Sequence, residues 1–263
     1  MQININNQTA FIYTGGRAFD AALPTIMFVH GAGAYHGAWQ LQSRYFAHYG
    51  FNVLAVDLPG HAQSQGAPLT SIEAIGEWLI AILDELKIDQ ASLVGHSMGS
   101  LAALQAAGAH PQRVHKLVLL GTAFPMPVSE ALLSAAKAND HSAINMLNVW
   151  SLSAAAQINA NPAPGMWLSG VGLRVLERNA PDVIYTDLAA CNAYQAGLEQ
   201  AAKITCPTLV ISGKADVMTP ARAARGLADA IPNVKTKLID SSGHTLMSEK
   251  PDQVLDVLIE FLR

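Results

Sequence analysis

The most constraining feature of this 263-residue chain is the Gly-x-Ser-x-Gly motif of residues 95–99, which directly follows an apolar run. Small residues continue from the motif at helical spacing, so the segment predicts a strand, a sharp turn and a helix. Such a turn leaves little room beside its central residue, and Gly95 and Gly99 are therefore expected on either side. The turn would hold the Ser97 hydroxyl above the strand end, at the positive N-terminus of the helix. A tight strand–helix junction without chemistry has the same pattern, so the rest of the chain must supply a base, an acid and oxyanion donors.

Composition excludes several classes of function. Hydrophobic residues make up 51% of the chain and charged residues only 14%, which predicts a large buried core. The net charge of −4 gives no basic surface for nucleic acid, and no apolar stretch is long enough to span a bilayer. The N-terminus has no signal-peptide core, and Cys191 and Cys206 form no metal-binding or disulfide pattern. We therefore expect a reduced cytoplasmic protein with no metal, no membrane partner and no nucleic-acid partner.

Hydrophobic patterning predicts an α/β fold. Apolar runs of strand length alternate with amphipathic helices, which is typical of a mostly parallel, twisted sheet with helices on both faces. An antiparallel hairpin is expected at the sheet edge near the N-terminus. From residue 123 to residue 204, short helical stretches alternate with Pro and Gly, and no strand is convincing. We therefore predict a core domain, residues 1–122 and 205–263, with a helical cap (lid) insertion at residues 123–204.

Candidates for an acid and a base follow the last two predicted strands. Open parallel sheets bind ligands at the carboxyl ends of their strands, where this chain places Ser97, Asp216 and His244 in that order. Ser97 would attack, His244 would take and return the proton, and Asp216 would hold the imidazole tautomer. Two alternatives remain open, because Asp216 could merely cap a helix and Asp57 also ends a strand. The Leu-Pro-Gly that follows Asp57 favours a turn, so Asp216 is the preferred acid.

Two backbone N–H groups are candidates for an oxyanion hole. The N–H of Met98 would lie at the start of the helix, where it has no partner within the helix itself. The loop of residues 30–33 (His-Gly-Ala-Gly) offers the second donor, the N–H of Ala32. A plain glycine-rich turn is the alternative interpretation of this loop. We interpret His30 as a brace of the loop, and His96 as a residue packed beside it that does not transfer protons.

These residues together resemble the α/β-hydrolase superfamily, in its branch of single-chain, helical-cap esterases, lactonases and carbon–carbon bond hydrolases. The matching segments are residues 30–31, 57–61, 95–99, 213–220 and 243–251. Each motif is weak, but the set is specific and spans nearly the whole core, leaving out only the cap. The resemblance implies a Ser97–His244–Asp216 catalytic triad, an oxyanion hole from Ala32 and Met98, and no cofactor.

Positions at which this chain differs from related enzyme classes narrow the range of reactions to expect. Carbon–carbon bond hydrolases usually carry Asn before the nucleophile, whereas this chain has His96, as many esterases do. The Ala38–Trp39 pair is similar to the corresponding loop of hydroxynitrile lyases. Those lyases also rely on a lysine near the catalytic histidine, and Lys250 comes too late in this chain to match it. Dehalogenases and epoxide hydrolases carry Asp at the position of the nucleophile. This chain has Ser97 there, which argues against both classes.

The cap is expected to select the substrate. Its apolar side chains suit acyl chains or rings, and Met126, Trp150 and Trp167 are candidates for the pocket lining, although such residues also pack a cap onto its core. We expect a carboxylesterase-like serine hydrolase, monomeric or homodimeric, acting on a small to medium carboxylic ester or lactone. One alternative is a carbon–carbon bond hydrolase acting on a vinylogous diketone from ring fission. Another is a non-catalytic ligand receptor on the same fold.

Overall fold

Eight strands form one sheet in the computed structural model, which describes residues 1–160, 162 and 165–263. The strands are β1 (Gln2–Ile5), β2 (Gln8–Tyr13), β3 (Thr25–Val29), β4 (Asn52–Val56), β5 (Ala91–His96), β6 (Val114–Leu120), β7 (Thr208–Gly213) and β8 (Val234–Ile239). Their order in the sheet is β1-β2-β4-β3-β5-β6-β7-β8. β2 pairs antiparallel with β1 and with β4, and the remaining neighbours are parallel. The edge hairpin and the parallel core agree with the sequence prediction.

Helices cover both faces of the sheet. Within the described ranges, the α-helices are α1 (Gln40–His48), α2 (Ile72–Glu85), α3 (Met98–Ala109), α4 (Glu130–Lys137), α5 (His141–Trp150), α6 (Ala154–Gln157), α7 (Leu168–Glu177), α8 (Val183–Ala193), α9 (Gly197–Lys203), α10 (Arg225–Ala230), α11 (Leu246–Glu249) and α12 (Pro251–Leu262). None of these helices has the length and apolar character that crossing a membrane requires.

The alternation of side chains along β3 shows why its sequence is continuously apolar. Met27 and Val29 lie in one buried cluster, together with residues of α2, α3 and α10. Ile26 and Phe28 lie in the cluster on the opposite face, with residues of α1 and α12. Because both faces of the strand are covered, its positions from Ile26 to Val29 are all apolar, and only Thr25 at its start is polar.

The segment between β6 and β7 carries the helices expected of the cap. Helices α4 to α8 pack against one another, with a small apolar cluster that includes Leu147 and Leu188. The last helix of the segment, α9, packs instead against α3, and Ala201 is buried in the same cluster as the sheet residues. We therefore propose that α4 to α8 form the cap and that α9 belongs to the core. The amphipathic pattern of α9 does not reveal which neighbour it packs against.

The closest approach between helix and sheet occurs at the first turn of α3. Ser97, directly before this helix, has φ 53° and ψ −122°, a conformation that L-residues rarely adopt. A Cβ atom on Gly95 would lie 2.2 Å from the carbonyl oxygen of Gly99. A Cβ atom on Gly99 would lie 2.4 Å from the carbonyl oxygen of His30. Both glycines are therefore required by backbone packing around Ser97.

We expect Gly99→Ala to destabilise the protein by about 1–3 kcal/mol or more, because its methyl group would meet the backbone of Val29 and His30. Gly226→Ala is the matched control, since Gly226 lies in α10 with its nearest neighbour, Leu198 Cδ2, 3.8 Å from the added carbon. This control should keep or raise stability, by up to about 1 kcal/mol. Chemical denaturation measures both, and an unchanged midpoint for Gly99→Ala would contradict the close approach.

Candidate active site

The loops after β7 and β8 bring Asp216 and His244 into direct contact. His244 Nδ1 donates a hydrogen bond to Asp216 Oδ2 at 2.9 Å, and both side chains are buried. Asp216 Oδ1 accepts from the backbone N–H groups of Met218 and Thr219, at 2.8 and 2.9 Å. The Thr219 hydroxyl donates to Asp216 Oδ2 at 2.7 Å. Because the carboxylate accepts from Nδ1, the imidazole proton is assigned to Nδ1 and Nε2 is left as the basic nitrogen.

The surroundings of Asp216 keep its carboxylate ionised. Burial by itself would raise the pKa of Asp216, but His244 and the hydrogen bonds from His244 and Thr219 hold this pKa well below its usual range. An ionised Asp216 can stabilise positive charge on His244 when the imidazole takes up a proton.

Ser97 and His244 line the same cavity, whose volume is about 180 Å³. His244 Nε2 is fully buried and has no hydrogen-bond partner in the part of the chain that the structure describes. Glycines on neighbouring loops leave the space around the pair open. A Cβ atom on Gly31 would lie 3.1 Å from Ser97 Cβ, and one on Gly121 would lie 3.2 Å from His244 Cε1. The structure thus brings Ser97, His244 and Asp216, which the sequence singles out, to one end of the sheet.

The two expected oxyanion donors are free of protein acceptors. Neither the N–H of Ala32 nor that of Met98 donates to a group among the described residues, and Ala32 lines the cavity. His30 braces this loop, as the sequence suggests, because its Nε2 accepts from the Leu58 N–H and its Nδ1 donates to the Gly31 carbonyl oxygen. Burial and the nearby imidazole of His61 lower the pKa of His30 to about 4, so its ring is neutral.

His96 supports the backbone of His244. Its Nε2 donates to the His244 carbonyl oxygen at 2.9 Å, and the two rings lie 4.7 Å apart. Burial and the neighbouring His244 lower the pKa of His96 to about 3. A neutral His96 would place no second positive charge beside His244 if the His244 imidazole took up a proton.

The rival acid, Asp57, is occupied elsewhere. Its Oδ1 accepts from the backbone N–H and from Nδ1 of His36, each at 2.8 Å, and its Oδ2 accepts from the N–H of Gln63. These bonds hold the loop after β4, as the turn motif predicts. Asp57 therefore braces a loop, whereas Asp216 contacts the imidazole.

Glu249, which belongs to the matching segment 243–251 but was given no role from the sequence, fixes the loop that carries His244. Its buried carboxylate accepts from the N–H of Gly243 at 3.0 Å and from the N–H of Ser153 in the cap. The N–H of His244 itself donates to the carbonyl oxygen of Ser151 at 2.9 Å. The only sign of Glu249 in the sequence is its position just after the His244 loop. No pattern in the sequence indicates its contact with Ser153.

The three cap residues expected to line the pocket lie elsewhere. Met126 is buried in the core cluster, while Trp150 and Trp167 are 38% and 62% exposed. Helical spacing identifies an apolar face but does not show whether that face meets the cavity, the core or solvent. The cap side chains that do line the cavity are Leu147, Asn148, Ser151, Leu152, Met166, Leu168, Val171, Val175 and Leu176. Across the described ranges, no group of His, Cys, Asp and Glu side chains is arranged to hold a metal ion.

A buried ion pair joins the cap to the loop after β4. His61 Nε2 donates to Asp187 Oδ2 at 2.9 Å, and His61 Nδ1 donates to the Pro59 carbonyl oxygen at 3.0 Å. Both ring nitrogens of His61 thus face oxygen acceptors, an arrangement that favours the doubly protonated ring. Burial lowers the pKa of His61, but the charge of Asp187 and the hydrogen bonds to Asp187 and Pro59 outweigh burial and raise it overall.

Fold and site together define a class of protein, the α/β hydrolases. Residues 20–251 match the family model described as Serine aminopeptidase, S33, and the chain belongs to this family. The match confirms the superfamily that the sequence resemblance indicates.

Three distant relatives are similar to this chain over most of their own length. The chain is 28% identical over 260 residues to 2-hydroxy-6-oxononadienedioate/2-hydroxy-6-oxononatrienedioate hydrolase of Cupriavidus pinatubonensis, covering 92% of this chain and 88% of the relative. Among solved structures, the enol-lactonase of Burkholderia xenovorans superposes with a TM-score of 0.88 at 22% identity, over 100% of this chain and 99% of that chain. Est816, described as an N-acyl homoserine lactone degrading enzyme, gives a TM-score of 0.84 at 24% identity, over 99% of this chain and 100% of that chain. At these identities the structures support the fold alone.

We expect an NMR titration of the His61 ring to give a pKa above 6.5, the value of an unperturbed histidine. Because the pKa is higher in the folded than in the unfolded state, the pair stabilises the fold below about pH 6.5, and this contribution is lost as the pH rises through the raised pKa. The difference in the free energy of unfolding between wild type and His61→Gln should therefore be largest at low pH. His115→Gln, at an exposed position, is the control. A difference that does not change with pH would contradict the ion pair.

Proposed function

We propose that the protein is a serine hydrolase that cleaves a small to medium carboxylic ester or lactone through an acyl-enzyme. One observation carries the proposal. The Nδ1–H of His244 is fixed to Asp216, which leaves Nε2 as a buried base without a hydrogen-bond partner among the described residues, and His244 and Ser97 line the same cavity. A base oriented by a third group beside a hydroxyl is the arrangement that activates a serine nucleophile.

The reaction follows from the roles of these groups. Ser97 Oγ attacks the carbonyl carbon, its proton passes to His244 Nε2, and the carbonyl oxygen becomes an oxyanion. The N–H groups of Ala32 and Met98 donate to this oxyanion, and His244 returns the proton to the leaving alkoxide. In a lactone the leaving alcohol stays attached to the acyl group. Water then attacks the acyl-enzyme, with His244 again taking a proton and Ser97 as the leaving group.

The free backbone N–H groups account for a large part of the expected rate enhancement. A donor already aimed at the position of the oxyanion requires no reorganisation when charge develops there. Loss of a single such donor typically costs about 2.7–4 kcal/mol of transition-state stabilisation. The N–H of Met98 also lies at the positive end of the α3 dipole, which favours negative charge at this place.

We expect Ser97→Ala to lower the turnover of p-nitrophenyl butyrate by about 1,000-fold or more, because the nucleophile is removed while the fold is kept. A fluorophosphonate probe should label the wild type at Ser97 and leave Ser97→Ala unlabelled. Ser134→Ala, which removes an exposed cap serine, should label and turn over as the wild type does. A folded wild type that neither labels nor turns over any ester would favour the receptor alternative.

The lining of the cavity supports an uncharged substrate. No lysine, arginine, aspartate or glutamate is among the described residues that line it, and most of its lining is apolar. A volume of about 180 Å³ is below the roughly 300–1,000 Å³ of drug-sized sites, which favours a short acyl group. The relative from Cupriavidus pinatubonensis acts, by its name, on dicarboxylates. A carboxylate buried in this cavity would meet no cation, so the carbon–carbon bond alternative with such a substrate is less well supported.

We expect discrimination between two p-nitrophenyl esters that differ mainly in charge, the butyrate and the succinate half-ester. The kcat/KM for the succinate should be lower by about 100-fold or more, since its free carboxylate would be desolvated without a partner. Measuring both esters at one pH with the same enzyme isolates the effect of charge. Equal kcat/KM values, or turnover of a dianionic ring-fission dienoate, would contradict the neutral-substrate proposal and favour the alternative.

A further inference from the structure

The cap contacts the loop of residues 30–33, which carries the Ala32 N–H, through a carboxylate that the proposed reaction does not use. Asp187, on α8, is 1% exposed, and its Oδ2 accepts from the N–H of Gly33 at 2.8 Å. The same oxygen accepts from His61 Nε2 at 2.9 Å. His61 Nδ1 donates to the Pro59 carbonyl oxygen, so both ring nitrogens of His61 face oxygen acceptors and the ring is held beside Asp187.

The cap also binds the other side of Gly33. Asn179, just after α7, donates from Nδ2 to the Gly33 carbonyl oxygen at 2.8 Å. Gly33 has φ 63°, and a Cβ atom there would lie 3.0 Å from Leu176 Cδ2 and 3.2 Å from Ile184 Cγ1, both in the cap. Both the N–H and the carbonyl group of Gly33 are thus fixed by side chains that belong to the cap.

Ala32 lies between this anchor and a second one in the core. The Ala32 N–H shares a planar peptide group with the carbonyl of Gly31, whose oxygen accepts from His30 Nδ1 at 2.8 Å and from the Ala34 N–H at 3.2 Å. The second of these bonds closes a turn through Ala32 and Gly33, so side chains that hold Gly33 also hold this turn. If Gly33 is released, the turn can open, and the peptide that carries the Ala32 N–H loses one of its two restraints.

We propose that Asp187 is a positioning residue of the oxyanion hole, which holds Gly33 so that the Ala32 N–H points at the oxygen on which negative charge develops. This inference rests on the proposed function, in which Ala32 donates to that oxyanion. It makes the cap a contributor to the chemical step as well as to the pocket wall. Asp187 itself does not touch the substrate.

A purely structural ion pair would have different consequences from a positioning residue. Loss of a structural contact lowers stability and leaves the remaining folded enzyme with normal turnover. Loss of positioning lowers kcat with little change in KM, because the oxyanion exists only after attack has begun. It also weakens binding of a trifluoromethyl ketone, whose adduct with Ser97 places an oxyanion at the same position.

The experiment compares Asp187→Ala, Asp187→Asn and the control Asp182→Asn, which changes an exposed aspartate directly before the same helix. With p-nitrophenyl butyrate, Asp187→Ala should lower kcat about 10–100-fold and leave KM within about 3-fold, since a donor is misaligned and not removed. The affinity for the trifluoromethyl ketone should fall by a similar factor. Asp187→Asn keeps an acceptor oxygen without its charge and should fall between Asp187→Ala and wild type, while Asp182→Asn should match wild type.

Several outcomes would overturn the inference. A kcat equal to that of wild type in both Asp187→Asn and Asp187→Ala would overturn it. A fall in kcat with unchanged affinity for the trifluoromethyl ketone would also overturn it. If Asp187→Ala does not fold, the isosteric Asp187→Asn decides. Ser97→Ala, measured in parallel, separates this inference from the proposed function. Turnover retained in Ser97→Ala refutes the proposed function, whereas an inactive Ser97→Ala beside a fully active Asp187→Asn refutes only the role of Asp187.

Discussion

At the first turn of α3, the carbonyl oxygen of His30 lies where a side chain on Gly99 would have to be. This backbone contact holds the N-terminus of the helix over the end of the sheet. It leaves Ser97 at φ 53° and the N–H of Met98 without an acceptor among the residues that the structure describes. His30 takes part twice, because its ring also fixes Gly31 in the neighbouring loop. Packing between β3, β5 and α3 therefore positions the proposed nucleophile and the proposed donor at Met98, and the ring of His30 links this contact to the loop of the proposed donor at Ala32.

The loops of the core are completed by hydrogen bonds from the cap. The carbonyl oxygen of Ser151 accepts from the N–H of His244, and Asp187 accepts from the N–H of Gly33. A buried donor left without an acceptor costs about 1–3 kcal/mol, so these contacts matter to the loops as much as to the cap. The cap is accordingly part of the polar framework around the site, in addition to covering it.

Sequence patterns predicted the parts of the site that depend on local order along the chain. Ser97, Asp216 and His244 each follow a strand, and parallel strands end at the same edge, so their proximity could be inferred. The contact between Asp187 and Gly33 joins residues 154 positions apart and leaves no local pattern. The apolar periodicity of the cap was visible, but the direction in which Trp150 and other side chains point depends on the packing of short helices. For the same reason the sequence did not show that α9 packs against α3.

The attachment of the cap at residues 151, 179 and 187 has a consequence for how hydrolases of this kind diversify. Grafting a foreign lid onto this scaffold would replace the pocket wall and the anchors of two active-site loops in one step. A chimera that alters only the apolar lining, and retains these anchors, changes selectivity while the catalytic geometry stays in place. With the proposed role of Asp187, side-chain substitution would change selectivity separately from turnover, whereas exchange of the whole insertion would change both.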